Sequence, residues 1–267
     1  MDRPLRIFLW LAFGITWGVG GLGLLAGAYR PEWALSASHP LYYVAAFGPD
    51  IAGLIMAGSA GGRIGLRRLL ARAVPSRPGL PWYLAVIVGF PVVTLSAGWF
   101  VAPDILTSLP RWDRLLPLLA LTAVADPGPV GEEFGWRGFA LPRLLERWPP
   151  LAASLILGAI WAAWHLPTFF IPTLSQNRLS IPVFLLESLA LSVIMTWLHL
   201  RSRGDLLLMI LVHVMANYCV GTLGVPFNVW TGAAVACAAL IVAAGGLRTE
   251  TPGGGKLGVS QMKNGDG

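Results

Sequence analysis

Apolar runs of about twenty residues recur from one end of the chain to the other, and no other sequence feature limits its folding as much. A run of that length suffices to cross hydrocarbon. Lipid offers a backbone N–H or C=O no partner, so each run must satisfy itself as a helix or join a closed barrel. The alternating ten-residue pattern of barrel strands is missing, which leaves helices. Eight spans are expected, at 5–28, 41–61, 82–102, 115–135, 151–170, 182–200, 205–224 and 227–247. The expected fold is all-α, a polytopic membrane bundle of about eight transmembrane helices making one domain over 1–250. The first run, Ile7 to Ala28, exceeds the roughly 7–15 residues of a signal-peptide core, so it reads as a retained helix.

Charge supports the same reading. Only 12% of the residues are charged, about half the usual share in soluble domains, and 55% are hydrophobic. The net charge of +6 is scattered over loops with no dense basic stripe, which argues for membrane lipid and against nucleic acid as a partner. With the N-terminus in the cytoplasm, 15 of the 19 Lys and Arg residues fall on the inner side. Arg30, Arg111, Arg114 and Arg178 are the outer ones. Counting Arg137 as intramembrane does not change the bias, so both termini are expected in the cytoplasm. The Gly-rich stretch 251–267 is expected to be a disordered tail.

Smaller features add detail. Gly14 and Gly18 form a GxxxG pair, a candidate close-packing face. Leu141, Leu144, Leu145 and Trp148 recur at helical spacing, as in a short amphipathic helix at the cytoplasmic interface or the end of a long fourth helix. Cys219 and Cys237 lie in apolar segments and are expected as free, buried thiols. Asp205, just before the seventh span, suits a helix N-cap. Asp50 and Glu187 lie inside apolar spans and receive no role from the sequence.

Against this background one stretch stands apart: Gly131-Glu132-Glu133-Phe134-Gly135-Trp136-Arg137-Gly138. A charge at mid-bilayer costs about 2.5–3.5 kcal/mol on insertion scales. Glu133 and Arg137 are spaced i, i+4 and can pair, while Glu132 lies about 100° around the helix and faces elsewhere. Two more polar groups recur at the same spacing, Trp161 with His165 and His213 with Asn217. A carboxylate, two imidazoles and a carboxamide on three apolar spans are each costly unless they meet.

Such a set can activate water, which implies hydrolysis. In one mechanism Glu132 with His165 holds and deprotonates a water, while His213 and Asn217 donate to the oxyanion of a peptide tetrahedral intermediate. In another, Glu132, His165 and His213 are zinc ligands, with a fourth position for water and Asn217 still the oxyanion donor. The first needs no cofactor and is preferred. HExxH and nucleophile-elbow motifs are missing.

At these clusters the chain resembles the CPBP intramembrane metalloprotease family, which includes type II CAAX prenyl endopeptidases and bacteriocin self-immunity proteins. The family shows EExxxR, FxxxH and HxxxN/B in order on successive membrane helices. Glu132-Glu133-x-x-x-Arg137 and His213-x-x-x-Asn217 follow the pattern, whereas Trp161 stands where phenylalanine is usual. The resemblance, from about Val130 to Asn217, implies an intramembrane endopeptidase with Glu132 and His165 on the water and His213 and Asn217 as the oxyanion hole. Its substrates would be membrane-associated peptides or lipidated proteins, and its place a bacterial inner membrane. Rival classes are a transporter using Glu and His as a proton relay, and an immunity protein with the pocket but no turnover.

Overall fold

All eight expected spans are helical in the computed structural model, which describes residues 1–30, 35–74 and 79–247. The expected tail at 251–267, and Arg77, Arg248, Lys256 and Lys263 of the charge count, lie outside the described residues. Helix α1 is Arg3–Tyr29, α2 Pro40–Ala46, α3 Gly48–Ala71, α4 Leu80–Val101, α5 Trp112–Ala125 and α6 Pro127–Glu133. Then follow α7 Leu141–Leu145, α8 Pro150–Trp164, α9 Ile181–Arg201, α10 Leu206–Gly221 and α11 Phe227–Ala243. Among the described residues no strand is present.

Among the described residues four helices are long and apolar enough to cross a membrane, five if the pair α2 and α3, which turns by 53° at its break, counts as one span. Helices α10 and α11 have 16 and 17 residues, or about 25 Å at roughly 1.5 Å per residue, a little short of a hydrocarbon core of about 30 Å. Large apolar side chains face outward along the helices, from Trp10 on α1 to Phe100 on α4 and Val124 on α5. In lipid this is the stable arrangement, and it inverts the logic of a soluble surface.

The interior is built on α9, whose Glu187, Ser188, Leu191, Ser192 and Met195 are buried. Small residues bring α8 close to it, and the Ser192 hydroxyl donates to the Ser154 carbonyl across the interface at 2.8 Å. Asp205 caps α10, accepting from the Leu208 N–H at 2.7 Å, as its position in the sequence suggests. Cys219 and Cys237 are both free, the first buried and the second half-buried. Among the described residues nothing packs on the GxxxG pair, since a Cβ added at Gly14 or Gly18 would meet none of their atoms within 4 Å.

The fourth expected span, 115–135, is not one helix. It ends at Ala125, and Asp126 takes an extended conformation with φ −83° and ψ 112°. The cause is local: Pro127 clashes with a helical residue before it, and a proline at the first helical position is well placed to start a new helix. The new run does not stop at Glu133. It passes through a π-helical stretch, Phe134–Ala140, into α7. Residues 141–145 are thus the end of this run, with Leu141 and Leu144 packed inside the protein.

Two backbone groups of this stretch bond outside it, and for the Gly138 carbonyl the reason is Pro142 four residues on, which has no N–H to offer. Charged residues at the two ends of α3 take them up. Asp50 Oδ1 accepts from the Gly135 N–H at 2.8 Å, and Arg72 Nη1 donates to the Gly138 carbonyl at 2.9 Å. Asp50 therefore holds the backbone of the charged stretch. Close approach is required here: a Cβ on Gly135 would lie 2.3 Å from the Pro49 carbonyl oxygen.

Candidate active site

The polar side chains meet because two helical arms of similar length fold back on each other. Glu132 lies thirteen residues before Leu145, where the first arm ends, and His165 lies fifteen residues after Pro150, where the second begins. Antiparallel arms at about 1.5 Å per residue then bring the two to one depth. A straight span ending at 135 would have left Glu132 near the membrane surface and His165 about 22 Å away. The extension through the π-helical stretch removes that conflict.

Each site residue has a defined setting. Pro167 stops α8, leaving His165 at its C-cap. The His165 Nδ1 is 2.9 Å from the Trp161 carbonyl, which can only accept, so that nitrogen carries a proton and, in the neutral ring, Nε2 keeps its lone pair. Nε2 faces Glu132 Oε1 at 4.0 Å. The other oxygen, Oε2, accepts from the Trp161 indole N–H at 2.5 Å. Two groups at 4.0 Å do not bond directly, but one water can bridge them.

Behind this pair sits a charged support. Glu133 Oε1 accepts from Arg137 Nη1 at 3.0 Å, the pairing expected from the i, i+4 spacing, and both side chains are fully buried. The same oxygen lies 2.8 Å from His213 Nδ1, which fixes a proton there and turns Nε2 toward the cavity. The Arg137 guanidinium stacks on the Trp161 ring, 4.3 Å from its centroid. The Trp161 ring also meets both imidazoles edge-on, at 5.8 Å from His165 and 5.4 Å from His213. The indole is therefore more than an aromatic stand-in for phenylalanine.

Sequence reading missed one acidic residue. Asp126, at the break before α6, accepts from the Gly128 N–H through Oδ1 at 3.0 Å and from Asn217 Nδ2 through Oδ2 at 2.6 Å. Its signal was available: an Asp directly before Pro, at an N-cap position inside an apolar run. Gly128 belongs to the site as well. A Cβ there would lie 3.2 Å from Glu132 Oε1, 3.3 Å from Asp126 Oδ1 and 3.6 Å from His213 Nε2, which marks a small space ringed by three polar atoms.

Glu132, Trp161, His165, His213 and Asn217 line one cavity of about 350 Å³. Glu187, unassigned by the sequence, lines it too, with Oε1 accepting from the Trp230 indole N–H at 3.1 Å. Among the described residues no three His, Cys, Asp or Glu side chains are grouped closely enough to hold a metal ion. The bonds to Glu132 Oε2, His165 Nδ1 and His213 Nδ1 leave Glu132 Oε1 and both imidazole Nε2 atoms open, which is also the pattern that supporting hydrogen bonds give the ligands of a metal.

Comparison with known proteins points to the same stretch. Residues 112–219 match the family described as type II CAAX prenyl endopeptidase Rce1-like. Over 108 residues the chain is 33% identical to the CAAX prenyl protease 2 of Methanococcus maripaludis. The aligned stretch covers 38% of this chain and 39% of that protein, so the similarity spans about two fifths of the relative's length. It runs from the start of α5 into α10 and contains Asp126, Glu132, His165, His213 and Asn217.

Proposed function

We propose, taking the similarity of residues 112–219 to type II CAAX prenyl endopeptidases as the premise, that this chain is an intramembrane endopeptidase. It hydrolyses a peptide bond of a membrane-associated peptide or lipidated protein, from a multi-pass position in a bacterial cell membrane with both termini cytoplasmic. One observation carries the reading: a buried carboxylate with one oxygen fixed by an indole presents the other to His165 Nε2 across a water-sized gap of 4.0 Å.

The chemistry follows from the donors and acceptors. A water between Glu132 Oε1 and His165 Nε2 donates one hydrogen bond to each, which leaves its lone pairs free to face a substrate carbonyl. Glu132 takes a proton as the water oxygen bonds to the carbonyl carbon, a role worth roughly 10²–10⁴-fold. The carbonyl oxygen becomes an oxyanion and accepts from Asn217 Nδ2–H and from His213 Nε2–H. Because Nδ1 of His213 already carries a proton toward Glu133, Nε2 donates in the cationic ring. As the intermediate collapses, the C–N bond breaks and Glu132 returns the proton to the leaving amine. No step requires a metal.

The test is cleavage by the purified chain in proteoliposomes carrying membrane-anchored peptides, some prenylated and some not. Glu132→Gln, His165→Ala and His213→Ala should fold and lose cleavage, whereas wild-type rates in Glu132→Gln would refute the mechanism. Activity that persists after exhaustive chelation is expected, and its loss, with restoration by zinc, would favour the metal route. Proteins that accumulate uncleaved in cells carrying Glu132→Gln would identify the substrate.

A further inference from the structure

We infer that Asp126 is a positioning residue of the same site: it fixes which face of the Asn217 carboxamide meets the oxyanion. The inference rests on the hydrolytic reading above, but its observations are separate.

An N-cap needs one acceptor oxygen, and Ser, Thr or Asn supplies it without burying a carboxylate in a bilayer. At Asp126 the cap uses only Oδ1, which receives the Gly128 N–H. The second oxygen reaches across to α10, 91 residues further on, and accepts from Asn217 Nδ2 at 2.6 Å. Capping therefore does not account for the choice of aspartate. A group with two acceptor oxygens does.

The consequence lies in the symmetry of the carboxamide. The oxygen and amino ends of an asparagine are nearly the same size, so sterics alone hold neither orientation. Only the amino end serves an oxyanion hole, because an oxygen there would repel the developing charge. Opposite a carboxylate oxygen the two orientations differ sharply, since one forms a charge-assisted hydrogen bond and the other sets oxygen against oxygen. Asp126 thus selects the amino end, uses one of its two N–H bonds, and leaves the other fixed in direction. Asp126 and Asn217 both line the cavity that holds Glu132 and the two imidazoles. The break in the fourth span is what places this carboxylate there, because a continuous helix through residue 126 would not present an N-cap.

The discriminating substitution is Asp126→Ser, which keeps an acceptor for the Gly128 N–H and removes the one for Asn217. In proteoliposomes, kcat should fall at least tenfold with KM within twofold, and the thermal midpoint should stay within a few degrees of wild type. Asn217→Ala should then lower kcat little further in the Asp126→Ser background, because both changes remove one donor. Asp126→Asn, with a single acceptor oxygen, should behave like Asp126→Ser. A kcat within twofold of wild type for Asp126→Ser, or losses that multiply in the double variant, would overturn the inference. If Glu132→Gln cleaves at the wild-type rate, the hydrolytic reading itself fails. Failure of the Asp126 inference alone would leave Glu132→Gln inactive and Asp126→Ser active.

Discussion

The indole N–H of Trp161 donates to Glu132 Oε2 at 2.5 Å, so one oxygen of the buried carboxylate is fixed before substrate arrives. Phenylalanine at this position would keep a ring beneath Arg137 and beside both imidazoles but would lose the donor. A hydrogen bond to a charged group contributes about 1.5–3 kcal/mol. Trp161→Phe should therefore lower kcat roughly 10- to 100-fold, with a folded protein and little change in KM. Steady-state kinetics on Trp161→Phe would check this, and an unchanged kcat would mean that the bond does not govern the base.

Gly128→Ala separates activity from stability. Alanine favours a helix over glycine by up to about 1 kcal/mol, so thermal stability should hold or rise. Its Cβ would enter the space between Glu132 Oε1, Asp126 Oδ1 and His213 Nε2, where the attacking atoms must come together. Cleavage should drop at least a hundredfold while the unfolding midpoint is retained. A loss of both together would assign Gly128 to folding alone.

Arg137 and Glu133 call for a stability measurement. Both side chains are fully buried, and Arg137→Met would leave the Glu133 carboxylate without its guanidinium partner. Breaking a buried pair from one side costs about 3–5 kcal/mol, whereas replacing both partners costs far less. Thermal unfolding in detergent should show a large loss for Arg137→Met and partial recovery on adding Glu133→Gln. The double variant should still be poorly active, because His213 loses the carboxylate that orients it.

Two glycines should respond in opposite ways. Gly135→Ala would drive a Cβ against the Pro49 carbonyl at 2.3 Å, and backbone on both sides leaves little room to yield. Overpacking of this kind typically costs about 1–3 kcal/mol, and here it also threatens the bond from the Gly135 N–H to Asp50. Gly18→Ala, with nothing within 4 Å, should be neutral or slightly stabilising. Side-by-side melting curves would decide.

The parts legible in the sequence were those governed by local rules. Length and hydropathy place the spans, and i, i+4 spacing pairs Glu133 with Arg137 and sets Trp161 beside His165. The parts that were not legible depend on distant partners. Asp50 has no evident purpose until Gly135, 85 residues away, offers it an N–H. Asp126 reads as a turn residue until Asn217 is placed opposite it. The π-helical stretch has no periodicity of its own, and a span that stops at 135 leaves Glu132 too shallow. The small residues of α1 show the reverse case, since GxxxG permits close packing but does not compel it.

The matched arms on either side of residues 146–149 turn the separation of Glu132 and His165 into a length counted in residues. Insertion or deletion of a single residue within 133–145 or 150–164 would rotate one partner by about 100° and slide it about 1.5 Å along its axis. Either displacement would carry it past the other. Related sequences should therefore tolerate length changes at the hairpin's tip and almost none along its legs, which makes the length of each leg as diagnostic as the residues it carries.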